Sequence, residues 1–423
     1  MNSHPSTRPA YPSSPAELRA DPGTAVVQYP DGDPGESVVV PPMKILFVTP
    51  YYYPELQFGG PPKKMHALSS GLVQRGHQVR VITFHSQRRL AREVEMMDGV
   101  EVQYLPWIGQ GLRQFPLDFK TVVESVSDSN LVHGYGLYDL FGPLAAFLAH
   151  HQVRPHVLEP LGMYVPRASK IAVKKLYNLL LTRRMANHAA RVVVASSAER
   201  SGLLSLVGER RLVVRRNGID LAAFAQLPPD DALRLRLGLR PEEKIILYMG
   251  RISPVKNLKQ LAAAFGKAGL PDTRLLLAGP AEPDYLHRLQ RRIKLLNLQD
   301  KILLTGPLYG ADRLAAFGAA DLLVLPSLSE SFGNAAAEAV AAGLPVLLTD
   351  TCGIAAMIHG RAGLAVPLGE DSISQGLLAM MDETHRRKFA ARGHEVRQEL
   401  SWDKPIRQTE ELYHEILQER LVQ

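Results

Sequence analysis

From Met43 onward, short apolar runs alternate with longer stretches of helical periodicity. The first runs are Lys44 to Pro50 and Gln78 to Phe84, and others follow at Val100 to Pro106, Asn130 to Gly136, Arg154 to Pro160, Arg191 to Ser197 and Arg211 to Arg216. Consecutive rather than alternate apolar positions mark strands covered on both faces, so the pattern predicts a parallel sheet wound with helices. A polar, proline-containing stretch runs from Asn217 to Glu243. The rhythm then restarts at Lys244 to Gly250 and continues at Arg274 to Gly279, Lys301 to Gly306, Asp321 to Ser327, Pro345 to Asp350 and Gly363 to Pro367. We therefore expect an α/β chain of two Rossmann-like, doubly wound domains, 43–216 and 244–400, joined by a linker at 217–243. Residues 401–423 place Leu412, Tyr413, Ile416 and Leu417 at helical spacing among charges, and read as an amphipathic helix that packs back on the first domain. Ligands of such sheets sit beyond the C-terminal strand ends, so the cleft between the domains is the expected site.

Ahead of this rhythm, residues 1–42 carry nine of the 31 prolines and no apolar period, so they are expected to be a disordered tail. The tail has two Arg against five acids, which leaves the rest of the chain more basic than the overall net charge of +7. A basic surface suits phosphorylated ligands, anionic lipid or nucleic acid, and composition does not choose among them. Cys352 is the only cysteine, which excludes an internal disulfide and a multi-thiolate zinc site and fits a reducing compartment. No cationic segment followed by an apolar run opens the chain, and no apolar stretch is long enough to cross a bilayer, so a soluble or peripheral cytoplasmic protein is expected. No G-x-G-x-x-G follows the first strand of either domain and no G-x-x-x-x-G-K-[ST] occurs, which disfavours nicotinamide dehydrogenases and P-loop kinases.

The most informative stretch runs from Leu325 to Gly343 and reads as strand end, loop and helix. Gly333 or Asn334 would cap the helix and Gly343 would stop it. Between Ala335 and Ala342 the helix is small and apolar except for Glu338. A glutamate in a helix ordinarily faces solvent, but a helix of alanine and valine packs on all sides, so its single acid needs a partner or a ligand. The N–H groups of residues 331 to 334 would suit a diphosphate, because a helix N-terminus attracts anions. Glu338 could then accept from ribose hydroxyls, while Glu330 in the preceding loop touches a sugar.

This arrangement resembles the E-x7-E signature of the family-four retaining glycosyltransferases, here Glu330-Ser331-Phe332-Gly333-Asn334-Ala-Ala-Ala-Glu338. The resemblance extends along the chain from Met43 and is stronger in the C-terminal half. It implies the GT-B fold, with an acceptor-side N-terminal domain and a nucleotide-sugar-binding C-terminal domain. In that family the first acid contacts the donor sugar or phosphate and the second the ribose. A G-R-x-x-x-x-K-G element is matched by Gly250, Arg251 and Lys256, with Asn257 in place of the last glycine. The resemblance implies that Arg251 and Lys256 neutralise the donor diphosphate, although a strand-end Arg and Lys are otherwise ordinary surface charges. Gly279, in Leu277-Ala278-Gly279-Pro280, would let a base or ribose approach the backbone, or would simply be a βα turn.

On the acceptor side, Gly59 and Gly60 lead into a helix with Pro61 or Pro62 in its first turn, and the family's Gly-Gly loop at this place faces the donor phosphate and acceptor. His133 ends a strand where relatives often carry a histidine, with Tyr135 in place of a second one. It is a candidate catalytic group beside Glu330, Arg251 and Lys256. Leu161, in Glu159-Pro160-Leu161-Gly162, stands where many relatives have His or Arg. Residues 167–191 hold seven Lys or Arg, no acid and an interleaved apolar set. They read either as a contact for an anionic membrane or as a core helix with a solvated basic face.

The resemblance thus implies a retaining transferase that moves sugar from a UDP- or GDP-sugar to a glycan, a glycolipid or other lipid-linked acceptor, or a small molecule. No cofactor, metal or nucleic-acid partner is expected. A nucleotide-sugar epimerase or hydrolase of the same fold, or a non-catalytic sugar or nucleotide-binding module, are the alternatives.

Overall fold

The computed structural model describes residues 41–55, 58–166 and 171–421. Residues 1–40 of the expected tail lie outside that set, as do 167–170 of the basic segment.

The first sheet contains β1 (Lys44–Val48), β2 (Gln78–Thr83), β3 (Glu93–Met97), β4 (Val100–Tyr104), β7 (Leu131–Tyr135), β8 (His156–Glu159), β9 (Arg191–Val194) and β10 (Leu212–Val214). A short hairpin of β5 (Trp107–Ile108) and β6 (Phe115–Pro116) stands apart. The strand order is β10-β9-β8-β7-β1-β2-β4-β3, parallel except for β3. The second sheet is all parallel: β11 (Lys244–Met249), β12 (Thr273–Ala278), β13 (Ile302–Gly306), β14 (Leu322–Leu325), β15 (Val346–Thr349) and β16 (Gly363–Val366), in the order β13-β12-β11-β14-β15-β16. Ile245, Ile246, Leu247 and Tyr248 of β11 are all buried, so both faces of the strand are covered by helices, as the run of consecutive apolar residues requires.

Both sheets belong to one unit, Met43–Gln423. Every strand expected from the apolar runs forms, with ends shifted by one to three residues. β3 was not among them, because Glu-Val-Glu-Met-Met has no apolar run. It is a mostly exposed edge strand whose charges discourage further pairing.

The stretch 217–243 does more than link. It contains the helix Asp231–Leu237, and Leu233 and Leu239 are buried in the core of the second domain. That domain therefore starts near 231, and only the polar composition of this helix hid it. The second crossing between the domains runs alongside the first: Ile219 N–H donates to Leu400 O at 2.6 Å, and Ile219 forms a β-bridge with Ser401.

Beyond that crossing, the helix Asp403–Leu421 lies on the first domain. Leu412, Tyr413 and Ile416 join the core that holds Phe47, Met65 and Tyr135. Polar contacts fix its register, with Glu410 accepting from Arg75 Nε at 2.7 Å and lying 2.9 Å from His77 Nε2, and with Arg191 Nη2 donating to Glu415 and Glu419 at 2.6 Å each.

Candidate functional site

The second sheet reverses its winding between β11 and β14. In an open α/β sheet the crevice beyond the strand ends at such a point receives the ligand. The two loops that emerge there carry the residues singled out from sequence. Gly250 to Asn257 follows β11, and Pro326 to Gly333 follows β14. Lys256 Nζ donates to Glu330 Oε2, and Leu328 N–H donates to Val255 O at 2.9 Å, so the loops are tied together. The chain around Glu330 is fixed from the other side as well, since its carbonyl accepts from Gly353 N–H at 2.9 Å.

Gly333 takes φ 111° and caps the helix Asn334–Ala341. Ala336, Ala337, Ala339, Val340 and Ala341 are buried on all sides of it. Glu338 is buried with them and finds the partner that its surroundings demand, Arg313 of the helix Gly310–Ala319, whose Nη2 donates to Glu338 Oε2. The Arg313 guanidinium also lies over the Phe317 ring, 5.3 Å from its centroid. Nothing in the sequence connects Arg313 to Glu338, and this residue was missed.

Arg251 is exposed at the crevice and makes no ion pair among the described residues. Its charge reaches Tyr51 of the first domain, whose phenol is pushed up to about 12, mainly by burial and further by Asp139, with Arg251 opposing. Asn257 adopts φ 58°, so the residue that replaces the expected glycine keeps the left-handed turn. Gly279 also has a close neighbour, but it is protein: a Cβ there would lie 1.9 Å from Gly250 O. Gly250 and Gly279 thus pack backbone against backbone, which gives Gly279 a structural role in its βα turn.

Across the cleft, first-domain glycines make room for side chains of the Glu330 loop. A Cβ on Gly60 would lie 2.3 Å from Asn334 Nδ2, and one on Gly162 would lie 1.7 Å from Ser331 Oγ. Asn217 Nδ2 donates to Asn334 Oδ1 at 3.1 Å, which joins the crossing segment to the same helix start. Phe332 is buried and its carbonyl accepts from Ile354 N–H at 2.8 Å, so it anchors the loop rather than facing the cleft. Gly59, at φ 88°, caps the helix Gly60–Gln74 at the edge of these contacts.

Comparison with known proteins gives this geometry a family. Residues 230–396 match the family described as Glycosyl transferases group 1, and residues 59–218 match the Glycosyl transferase 4-like domain. The chain is 27% identical over 392 residues to a D-inositol 3-phosphate glycosyltransferase of Kineococcus radiotolerans, an alignment covering 84% of this chain and 89% of that one. The chain belongs to the group 1, family-four type of glycosyltransferases. In fold it is similar to sucrose-phosphate synthase from Thermosynechococcus elongatus, with a TM-score of 0.72 at 24% identity over 88% of this chain and 99% of that one. Anabaena HepE in complex with UDP and glucose gives 0.71 at 20% identity over 88% and 100%. The two parallel sheets facing one cleft are the GT-B arrangement.

Within this glycosyltransferase, His133 is not placed where a catalytic group would be. It is wholly buried in β7, with Nδ1 2.5 Å from Tyr413 Oη and Nε2 3.5 Å from Glu159 Oε2. Burial pushes its imidazole down to about 4, so the ring is neutral. The candidate catalytic role is therefore corrected to a structural one, set by desolvation and by the helix that covers it. Around it lies a buried charge cluster not read from sequence: Glu159 accepts from Arg215 Nη2 at 2.5 Å and pairs with Lys64 Nζ, while Arg215 Nη1 donates to Thr409 Oγ1 at 2.8 Å. Burial alone would raise the Glu159 pKa, but Arg215 and Lys64 hold it well below the carboxylate range. Leu161, just beyond Glu159, sits at φ 55°, a backbone setting that is uncommon for a branched side chain.

Proposed function

We propose that this glycosyltransferase takes its sugar from a nucleoside diphosphate sugar, a UDP-sugar first and a GDP-sugar as the alternative, and transfers it with retention of configuration. The observation that carries the proposal is the pair of carboxylates, Glu330 and Glu338, each joined to a cation at the turning point of the second sheet. A diphosphate at the start of the helix Asn334–Ala341 would meet Arg251, Lys256 and unpaired helix N–H groups. Glu338 would face the ribose and Glu330 the sugar. The solved HepE complex with UDP and glucose supports the choice of UDP.

Negative charge develops on the leaving diphosphate as its bond to the anomeric carbon breaks. Lys256 and Arg251 would stabilise that charge, which is the role a metal plays elsewhere, so no metal is required in this reading. The acceptor hydroxyl adds to the same face of the anomeric carbon, and its proton passes to the departing phosphate oxygen. The contacts at Gly60 and Gly162 bring the two domains together and so would exclude water and align the acceptor.

The acceptor in this reading is a glycan or a lipid-linked molecule. The helices Ile171–Tyr177 and Arg183–His188, joined through 178–182, expose Ile171, Val173, Leu176, Leu179 and Leu180 beside Lys175, Arg183 and Arg184. A core helix would bury that apolar set. Exposed together with cations, it suits the interface of an anionic membrane at which a lipid-linked acceptor would reside. No helix among the described residues is long and apolar enough to cross a membrane.

The test is calorimetry and turnover with UDP-, GDP- and ADP-sugars in EDTA, on the wild type and on Glu338→Ala. One nucleotide class should bind and lose its binding in the variant, and an added acceptor should accelerate release of the nucleotide over water alone. Release by water alone at full rate would instead mark a hydrolase, and binding of no nucleotide sugar would end the donor assignment. Sedimentation with anionic and neutral vesicles tests the membrane contact separately.

A further inference from the structure

At the far end of the first sheet from the cleft, β8 and β9 begin beside a cavity of about 300 Å³. His156 opens β8 and Arg191 opens β9, and the wall is completed by His150, Arg154, His188 and the last turns of the C-terminal helix with Arg420. The cavity holds three guanidinium groups against one carboxylate, Glu419. Arg191 is already neutralised by Glu415 and Glu419. Arg154 donates to Ser127 O at 2.6 Å, with the Asp128 carboxylate within electrostatic reach, and Arg420 donates to Val153 O, both uncharged carbonyls. Neither makes an ion pair within 4 Å among the described residues, and Arg154 Nε is buried without a hydrogen-bond partner.

His156 is the second observation. Its residue is 3% exposed and neither ring nitrogen has a partner within the protein. Burial, with His133 and His188 nearby, pushes its imidazole down to about 3 and keeps it neutral, yet a neutral ring still carries one N–H that needs an acceptor. A buried donor at the wall of a cavity is normally satisfied by water or by a ligand. The space is about ten times the ~30 Å³ that a water occupies in the liquid, so it admits a group larger than a single water.

We propose that this cavity is a second binding site, separate from the donor cleft, for an anion carrying a phosphoryl group. The arginine and histidine side chains that line it come from β8, from the turn after the helix Phe141–His151 and from the C-terminal helix. A phosphoryl group offers three oxygens to donors arriving from different directions and offsets the charges of the two guanidinium groups that no ion pair holds. It differs from the cleft in having no carboxylate placed for ribose and no helix start. β8 connects the two: His156 is at its first residue and Glu159 at its last, immediately ahead of the Leu161–Gly162 turn that touches Ser331.

The experiment follows the side-chain nitrogen resonances of His156 in the full chain during titration with inorganic phosphate, with glycerol 3-phosphate, and with vesicles containing phosphatidic acid in neutral lipid. Lys256→Ala removes the phosphate contact expected in the cleft, and in that variant His156 should still shift and saturate. Arg154→Gln with Arg420→Gln keeps an N–H donor at each carbonyl and should weaken the titration at least about tenfold. Should the double variant fold poorly, Arg420→Gln alone, on the exposed C-terminal turn, makes the same comparison. A shift with the soluble phosphates identifies a free phosphorylated ligand, and a shift with vesicles alone identifies a lipid headgroup. Unchanged His156 resonances in all three titrations, or the same titration in the arginine variants, would show a cavity filled by water and overturn the proposal.

Discussion

Arg313 and Glu338 come from different helices and pair at the edge of the donor crevice, with their side chains 21% and 11% exposed. Without Arg313, the one acid in an alanine-rich helix would have to be neutralised, rehydrated or moved. Arg313→Gln should therefore weaken donor binding by roughly 10- to 100-fold, which corresponds to about 1.5–3 kcal/mol for a hydrogen bond to a charged group. The effect should appear in the donor KM more than in kcat, and Arg313→Lys should recover part of it. Equal donor KM in wild type and Arg313→Gln would show that Glu338 does not depend on this partner.

Lys256 is tied to Glu330 in the absence of donor. A diphosphate arriving beside it would compete for the ammonium, so the lysine exchanges one anion for another rather than being freshly desolvated. Because charge on the diphosphate grows as the glycosidic bond breaks, Lys256→Ala should lower kcat by roughly 10²–10³-fold, the range found when one donor to a developing anion is removed. Binding of the free nucleoside diphosphate should weaken less than turnover. Loss confined to KM would mean that the lysine only holds the ground state.

The domain contact can be tested with one methyl group. Gly60 is the first residue of a helix, where alanine favours the helix itself by about 0.5–1 kcal/mol over glycine. Its new Cβ would nevertheless lie 2.3 Å from Asn334 Nδ2 across the cleft. Gly60→Ala should thus keep or raise the thermal midpoint while lowering kcat, and Asn334→Ala in the same chain should restore part of the rate by removing the colliding amide. Asn334→Ala also removes the hydrogen bond from Asn217, so full recovery is not expected.

Much of this was legible in the sequence because local rules carried it. Consecutive apolar runs gave the strands, and the alanine-rich surroundings of Glu338 gave its need for a partner. The identity of that partner was not legible, since Arg313 lies on another helix and packing alone brings it there. His133 illustrates the opposite failure. A histidine at a strand end reads the same whether it faces a cleft or is covered, and the C-terminal helix that covers it with Tyr413 is 280 residues away. Lys64, Glu159 and Arg215 are likewise brought together from three separate elements, and no short spacing announces them.

That cluster should matter for stability. Glu159 is 1% exposed and faces both Lys64 and Arg215. Glu159→Gln would leave two buried cations without their counter-charge, and breaking a buried ion pair by removing one partner costs about 3–5 kcal/mol. Urea unfolding should report a loss of that size, whereas Arg80→Gln, at the half-exposed pair with Glu101, should cost no more than about 1 kcal/mol.

Asp139 gives a pH dependence of unusual sign. Its carboxyl is fully buried, accepts from Gly142 N–H at 2.7 Å, and is pushed by burial from 3.8 up to about 6. The folded chain therefore binds this proton more tightly than the unfolded chain does. Its contribution to stability is greatest below about pH 4 and declines as the pH rises through about 6, the reverse of a carboxylate held by a cation. At pH 7.5 the buried charge costs about 3 kcal/mol, from about two pKa units at ~1.4 kcal/mol each. Asp139→Asn keeps an oxygen for Gly142 and carries no charge, so it should raise the unfolding free energy by up to that amount at pH 7.5 and by almost nothing at pH 3.5. Unfolding in urea at both values decides the point, because a gain that persists unchanged at pH 3.5 would trace to packing rather than to the buried carboxylate.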